Sequence, residues 1–405
     1  MDLQNGKLYW PSTVNQVPGY PALEEDLECE VLIIGAGTAG AQCAAYLVQQ
    51  GIKPVVVDKR RVSEGSTATN TALIQYAGEK SFVSLAHTFG EEAAVRHLKL
   101  CEAAINEIEA SCWRIPGQAQ FVRRESLYYA SYDEDIRALD EEYAMLTKHG
   151  FKVERWDADR IALHYPFRKA GALYYYDDAE MNPVQYVYGL LELAAAGGAR
   201  IYENTEITGR AFEEEHALFY THERRQIRAR HVIIAAGYED LEFKGEKNAV
   251  ISSSYAVVTS PVNDFSSWYQ RALIWETARP YIYMRTTQDN RVIIGGLDKD
   301  TADERIRDKR TLHSKDRLIE EFNKLFPDIE VKADYYLGAF YGGTHDGLPM
   351  IGRYPQYPRC YTLMGYGDNG TVYNQVLARL VCDDILGKNC ADMELYLQNR
   401  PLLNR

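Results

Sequence analysis

The stretch EVLIIGAGTAGAQCAAYLVQQGIKPVVVD, residues 30–58, decides the fold. Its first five residues are a short apolar run of the kind buried strands carry. Gly35-Ala36-Gly37-Thr38-Ala39-Gly40 follows, then an Ala-, Gln- and Leu-rich segment to residue 50 that reads as a helix stopped by Gly51. Pro54-Val-Val-Val-Asp58 reads as a second buried strand, with proline tolerated at its first position. A G-x-G-x-x-G pattern means something when it links a strand to a helix, and this one does. Gly35 serves the tight turn, Gly37 a close backbone approach to a pyrophosphate, and Gly40 close helix–strand packing. The helix start offers free N–H groups and partial positive charge to phosphates. Asp58 stands about 20 residues on, where a ribose-binding carboxylate is expected. A dinucleotide-binding βαβ unit is predicted; glycines and acid alone do not separate one dinucleotide from another.

Outward from this unit the texture alternates. Ala94, Leu98, Cys101, Ile105 and Ile108 mark one face of a helix, and Ile136, Leu139, Tyr143 and Leu146 mark another. Residues 184–196 read as a helix entered after Asn182-Pro183, and 227–236 as a buried strand running into Gly237. Residues 250–260, 281–285 and 291–296 read as strands of a second sheet, 314–326 as a helix, 361–365 as a strand and 370–386 as a final helix. A chain of 405 residues exceeds the usual size of one hydrophobic core, so two domains are expected. The fold class is α/β: a Rossmann-like domain assembled from 1–80, 168–249 and 340–405, interleaved with an α+β substrate domain from 81–167 and 250–339 built on an antiparallel sheet.

The formal charge of −13 repels phosphate backbones and anionic lipid, so nucleic acid is not an expected partner. Seven cysteines show no C-x-x-C spacing, which predicts scattered thiols in a cytoplasmic protein and no metal site. The first 28 residues hold no apolar signal-peptide core, and no apolar run approaches the length of a membrane span.

Two further segments narrow the ligand. Gly65-Ser66-Thr67-Ala68-Thr69-Asn70-Thr71-Ala72-Leu73 offers small and hydroxylated residues suited to a loop passing close to phosphates. Thr344-His345-Asp346-Gly347-Leu348-Pro349-Met350-Ile351-Gly352 is followed by Gly365-Tyr366-Gly367-Asp368-Asn369-Gly370-Thr371. With the N-terminal unit and residues 171–237, these segments resemble, in order and across nearly the whole chain, the D-amino-acid-oxidase superfamily of flavoenzymes, which includes glycine oxidase and sarcosine oxidase. The resemblance implies FAD held by Gly35, Ala36, Gly37, Thr38, Ala39, Gly40, Asp58, Lys59, Ser66, Thr67, Thr71, Ala72 and Leu73. It also implies contacts from Ile207, Gly237, Gly352, Gly367, Asp368, Asn369, Gly370 and Thr371. A helix starting at Gly370-Thr371 would aim N–H groups at the negative edge of reduced flavin.

The implied reaction is oxidation of a C–N bond in a small amine or amino acid by hydride transfer to flavin N5, with oxygen or a carrier as final acceptor. Two departures bear on the substrate. Tyr341 and Asp368 stand where the resemblance expects arginines that clamp a carboxylate. Arg285, after Tyr281 and Tyr283 on one strand face, is either a replacement anchor or a member of an interface ion pair. His345 is either a proton shuttle or a hydrogen-bonded loop residue. Sarcosine oxidase and its relatives tether FAD through a cysteine before the C-terminal motif; none lies between 113 and 359, so non-covalent FAD is expected. The rival readings are a flavin dehydrogenase of a 2-hydroxy acid or similar alcohol, a flavoprotein acting on tRNA, and a non-catalytic flavin-binding partner.

Overall fold

The computed structural model describes residues 2–78, 80–239 and 246–402. Two sheets organise it. The first runs in the order Met350–Gly352, Cys360–Met364, Gln226–Ile234, Leu27–Ile34, Val55–Val57, Arg200–Tyr202, and Ala217–Thr221 and Ile207–Phe212 pair beyond Gln226–Ile234. Its centre is parallel, with Ile33 facing Val56 on one side and Ile233 on the other. Such strands are covered on both faces, which is why 31–34, 55–57 and 232–236 read as continuous apolar runs. Helices Thr38–Gln49, Pro183–Ala196 and Gly370–Ile385 pack together beside this sheet. Val31, Ile33, Val56, Ala41, Ala44, Leu190, Val372 and Leu377 close the core between them, all fully or nearly fully buried.

The second sheet has ten strands, mostly antiparallel. Its order is Gln4–Lys7, Ala333–Thr344, Ala249–Thr259, Val292–Lys299, Ile282–Thr286, Leu273–Glu276, Val122–Tyr129, Gly171–Glu180, Leu73–Ile74, with Val153–Asp157 also pairing Gly171–Glu180. Helix Glu304–Leu325 lies against it. Leu127, Trp156, Tyr174, Tyr255, Met284, Phe322 and Phe326 form a separate core there.

The structure departs from the sequence-based boundaries at four places, one being the boundary at 340, which falls inside strand Ala333–Thr344 of the second sheet. Strand Gly171–Glu180, expected with 168–249 in the Rossmann-like unit, pairs in the second sheet. Leu173 and Tyr175 pack into the first core, while Ala172 and Tyr174 pack into the second. Burial on both faces gives it the same apolar texture as a parallel strand, so periodicity alone could not place it. Gln4–Lys7 and Leu73–Ile74, both within 1–80, are edge strands of the second sheet.

Candidate active site

The two sheets face each other across a cavity of about 500 Å³, within the size range of small-molecule sites. One side of its wall comes from the first sheet. Gly35 has φ +110°, and a side-chain carbon there would lie 2.3 Å from the Ala235 carbonyl oxygen. At Gly40 it would lie 1.9 Å from the Gly35 oxygen, so helix and turn meet at a distance only glycine allows.

Helix Thr38–Gln49 starts at Gly37 with no side-chain cap, and Gly370–Ile385 starts at Asn369 with none. Phe82–Phe89, Ala158–His164, Pro183–Ala196 and Glu304–Leu325 are capped by Ser81, Asp157, Asn182 and Asp303, while Glu91–Cys112 and Ile136–Lys148, which do not open on the cavity, also lack a side-chain cap. The two helices that open on the cavity therefore leave backbone N–H groups for an anionic ligand.

Asp58 sits on the wall, and its two oxygens already accept from the backbone N–H groups of Ala36 (2.7 Å) and Arg60 (2.8 Å). Burial raises its carboxyl above the ordinary range against those two bonds. Each oxygen keeps a further acceptor site, so Asp58 can fix the glycine turn and hold a ribose hydroxyl at once. Beside it, Lys59 and Arg60 pair with Glu239 at 2.9 and 2.7 Å, and Thr205, Glu206 and Ile207 complete that end.

The loop from Gly65 crosses to the helix start, where the Thr67 hydroxyl accepts from the Thr38 N–H at 3.2 Å and bonds the Thr38 hydroxyl at 3.1 Å. The C-terminal turn closes over it. Asn70 donates to the Thr371 hydroxyl at 2.9 Å, and Gly365, Gly367, Asp368, Gly370 and Thr371 line the cavity. Opposite them the second sheet contributes Ser254, Tyr255, Trp275, Tyr281, Tyr283, Asp298 and Tyr341.

A family model described as DAO, FAD dependent oxidoreductase, matches residues 30–383. The chain belongs to this family. The proteins it is similar to include the putative Rieske 2Fe-2S iron-sulfur protein YhfW of Bacillus subtilis (strain 168), 27% identical over 285 residues. That match covers 70% of this chain and 54% of the relative, so the chain spans about half of that protein's length. Gamma-glutamylputrescine oxidoreductase of Escherichia coli (strain K12) is 22% identical over 94% of this chain and 88% of its own. The crystal structure of glycine oxidase from Geobacillus kaustophilus shares the fold with a TM-score of 0.77, at 20% identity, covering 90% of this chain and 96% of that one.

An FAD-dependent oxidoreductase needs donors for a pyrophosphate, an acceptor for a ribose and a close-lying backbone for the ring system. The uncapped helices, Asp58 and the 365–371 turn supply all three. Of the residues the sequence nominated, Gly35, Gly37, Thr38, Ala39, Asp58, Lys59, Ser66, Thr67, Thr71, Leu73, Ile207, Gly237, Gly367, Asp368, Gly370 and Thr371 meet on one wall. Ala36, Gly40, Ala72, Gly352 and Asn369 are not on it. Ala36 donates its N–H to Asp58, Gly40 packs helix on turn, and Ala72 donates to the Asn70 side chain. A side-chain carbon at Gly352 would meet the Tyr354 ring at 2.5 Å, and the Asn369 amide donates to the Ala77 carbonyl at 2.8 Å.

Among the four substrate-side nominations, Tyr341 and Asp368 line the cavity, and Arg285 and His345 do not. Arg285 is 2% exposed. Its guanidinium donates to the carbonyls of Thr71 (2.6 Å), Met181 (2.8 Å) and Thr286 (3.0 Å) and lies 3.6 Å from Glu180. It is an interface residue clamping the 65–73 loop to the second sheet, not a substrate anchor. His345 is exposed, gives its backbone N–H to the Asn248 carbonyl and is not part of the cavity wall.

The sequence reading missed Gln75, Ser254, Trp275 and Asp298. Gln75 alone had a signal: it lies two residues past Leu73 on an extended segment, hence on the same face.

Among the described residues no three His, Cys, Asp or Glu side chains are grouped to hold a metal, and no helix is long and apolar enough to cross a membrane.

Proposed function

We propose that the protein oxidises the C–N bond of a small amine that carries no carboxylate beside the reacting carbon. The observation that carries this is the charge of the wall. Between the second sheet and the 365–371 turn, the charged side chains on the wall among the described residues are Asp298, from the sheet, and Asp368, from the turn. The wall's only described cations, Lys59 and Arg60, are at the opposite end, paired with Glu239. Two carboxylates and no cation on that part of the wall suit an amine better than a carboxylated substrate, whatever partners the two acids have behind it. Tyr281, Tyr283 and Trp275 add aromatic faces, which also favour a cationic or alkyl group. The name of the gamma-glutamylputrescine oxidoreductase relative agrees with an amine.

When bound, FAD supplies the two-electron acceptor for hydride. The chain's own work is holding and orienting. The helix starts at Thr38 and Gly370 hold anionic groups, and Asp58 holds the ribose. The aromatic wall holds the amine's alkyl part in place. FAD is non-covalent in this reading; among the described residues the wall carries neither cysteine nor histidine. The same charge pattern disfavours the 2-hydroxy-acid reading. The basic run near 224–230 offers little to tRNA, because Arg228 pairs with Glu213 and Glu28.

Anaerobic mixing of the yellow protein with amines, amino acids and 2-hydroxy acids tests the reading. Primary or secondary amines should bleach the flavin fastest. Faster bleaching by glycine, sarcosine or lactate would overturn it.

A further inference from the structure

Behind the cavity wall lies a hydrogen-bonded chain that the reaction as described does not use. Asp178, on strand Gly171–Glu180, has no solvent exposure. One of its oxygens accepts from the Tyr76 N–H at 3.2 Å, and the other accepts from the Ser126 hydroxyl at 2.5 Å. Ser126 is equally buried, on the neighbouring strand Val122–Tyr129. Its oxygen meets the Gln75 side-chain amide at 3.1 Å. Gln75 is 7% exposed and lines the cavity; Ser126 and Asp178 do not.

We propose that Asp178 and Ser126 are positioning residues that fix the Gln75 amide so that its carbonyl oxygen, rather than its NH₂, accepts an N–H of the reacting amine. This rests on the amine reading above.

The orientation follows from counting donors. Burial holds the Asp178 carboxyl up to about 7, so near pH 9 it is a carboxylate that accepts only, and the Ser126 proton goes to it. Ser126 then has only lone pairs to offer, and the Gln75 atom that meets it must be the NH₂ group. The oxygen is what remains for the cavity. Which end of an amide points where is settled by such a network.

An acceptor suits the chemistry. As the α-C–H bond breaks, its electron pair leaves as hydride and the nitrogen lone pair forms the C=N bond. The nitrogen keeps its hydrogen and becomes positive, so its N–H is a stronger donor in the transition state than in the bound amine. A fixed acceptor there stabilises the transition state more than the ground state.

The test varies the substrate's N–H as well as the protein. Butylamine, N-methylbutylamine and N,N-dimethylbutylamine, and the same three substitution states of the amine that bleaches wild type fastest, are mixed anaerobically near pH 9, where more of the amine is neutral. Gln75→Met should slow bleaching by the primary and secondary amines about tenfold to a hundredfold, the loss of one hydrogen bond to a charged group. The neutral tertiary amine has no N–H, and its rate should change less than about threefold. Ser126→Ala should shift rates in the same selective pattern, and Ser126→Thr should restore them. Visible absorbance checks that each variant holds as much FAD as wild type. Should Ser126→Ala fail to fold, Gln75→Met carries the test alone. Equal losses for all three substitution states, or no loss, would overturn the proposal while leaving the amine reading standing. A wild type that no amine bleaches would overturn both.

Discussion

Replacing Arg285 by methionine should damage stability and FAD retention, not substrate affinity. The residue is 2% exposed, and its guanidinium serves three carbonyls on three separate segments. Methionine fills much of the volume but leaves the carbonyls of Thr71, Met181 and Thr286 without this donor. It also leaves Glu180, 1% exposed, with Arg124 at 2.8 Å as its remaining cation. Removing one member of a buried charge network costs about 3–5 kcal/mol. With unfolding entropy near 2 cal/mol/K per residue over 405 residues, Tm should fall by roughly 3–6 °C. The Thr71 carbonyl belongs to the loop that lines the cavity, so FAD should dissociate more easily as well. Circular dichroism melts at fixed FAD and fluorescence titration of the apoprotein measure both effects. An unchanged Tm, together with a raised KM for a carboxylated substrate, would refute this and return the guanidinium to the cavity.

Other expectations follow from the same structure. Tyr341→Arg should bring a cation to the wall beside Asp368, and glycine or sarcosine should then bind at least about tenfold tighter, read by perturbation of the flavin spectrum. Gly40→Val should give colourless protein, because the Gly35 oxygen already occupies the space. Acid denaturation of wild type should release all FAD into the supernatant. Burial, with the Arg400 charge adding, holds the His97 imidazole down to about 3, whereas burial holds the Asp178 carboxyl up to about 7. A depressed histidine stabilises fully above its unfolded value of 6.5 and loses that stability as pH falls. A raised carboxyl does the reverse, costing stability as pH rises from 3.8 toward 7. Each slope is about 1.4 kcal/mol per pH unit, and they oppose one another. Asp178→Asn should therefore expose a loss of stability below pH 6.5, and His97→Gln a loss as pH rises toward 7. Urea midpoints at acid and neutral pH that shift in parallel for wild type and variants would contradict both.

What could be read from the chain was local. Strand, glycine turn, helix and Asp58 lie within one short run, and each glycine's job follows from backbone geometry that no distant residue alters. The 365–371 turn was legible for the same reason. Arg285 shows where this fails. Alternation put it on the face of Tyr281 and Tyr283 correctly, but depth along that face depends on the Thr71 carbonyl, 214 residues away, which covers it. Gly171–Glu180 failed because a strand between two cores looks like a strand inside one. The chain of Gln75, Ser126 and Asp178 spans separations of 51 and 52 residues and exists only once the second sheet is paired.

The cavity wall draws on residues from Leu3 to Asn374. A polypeptide still leaving the ribosome thus has its phosphate-binding turn more than three hundred residues before its closing turn. Loading of the coenzyme must wait until the segment up to Asn374 has been made, and a cell short of riboflavin should accumulate protease-sensitive chains rather than a half-built holoenzyme.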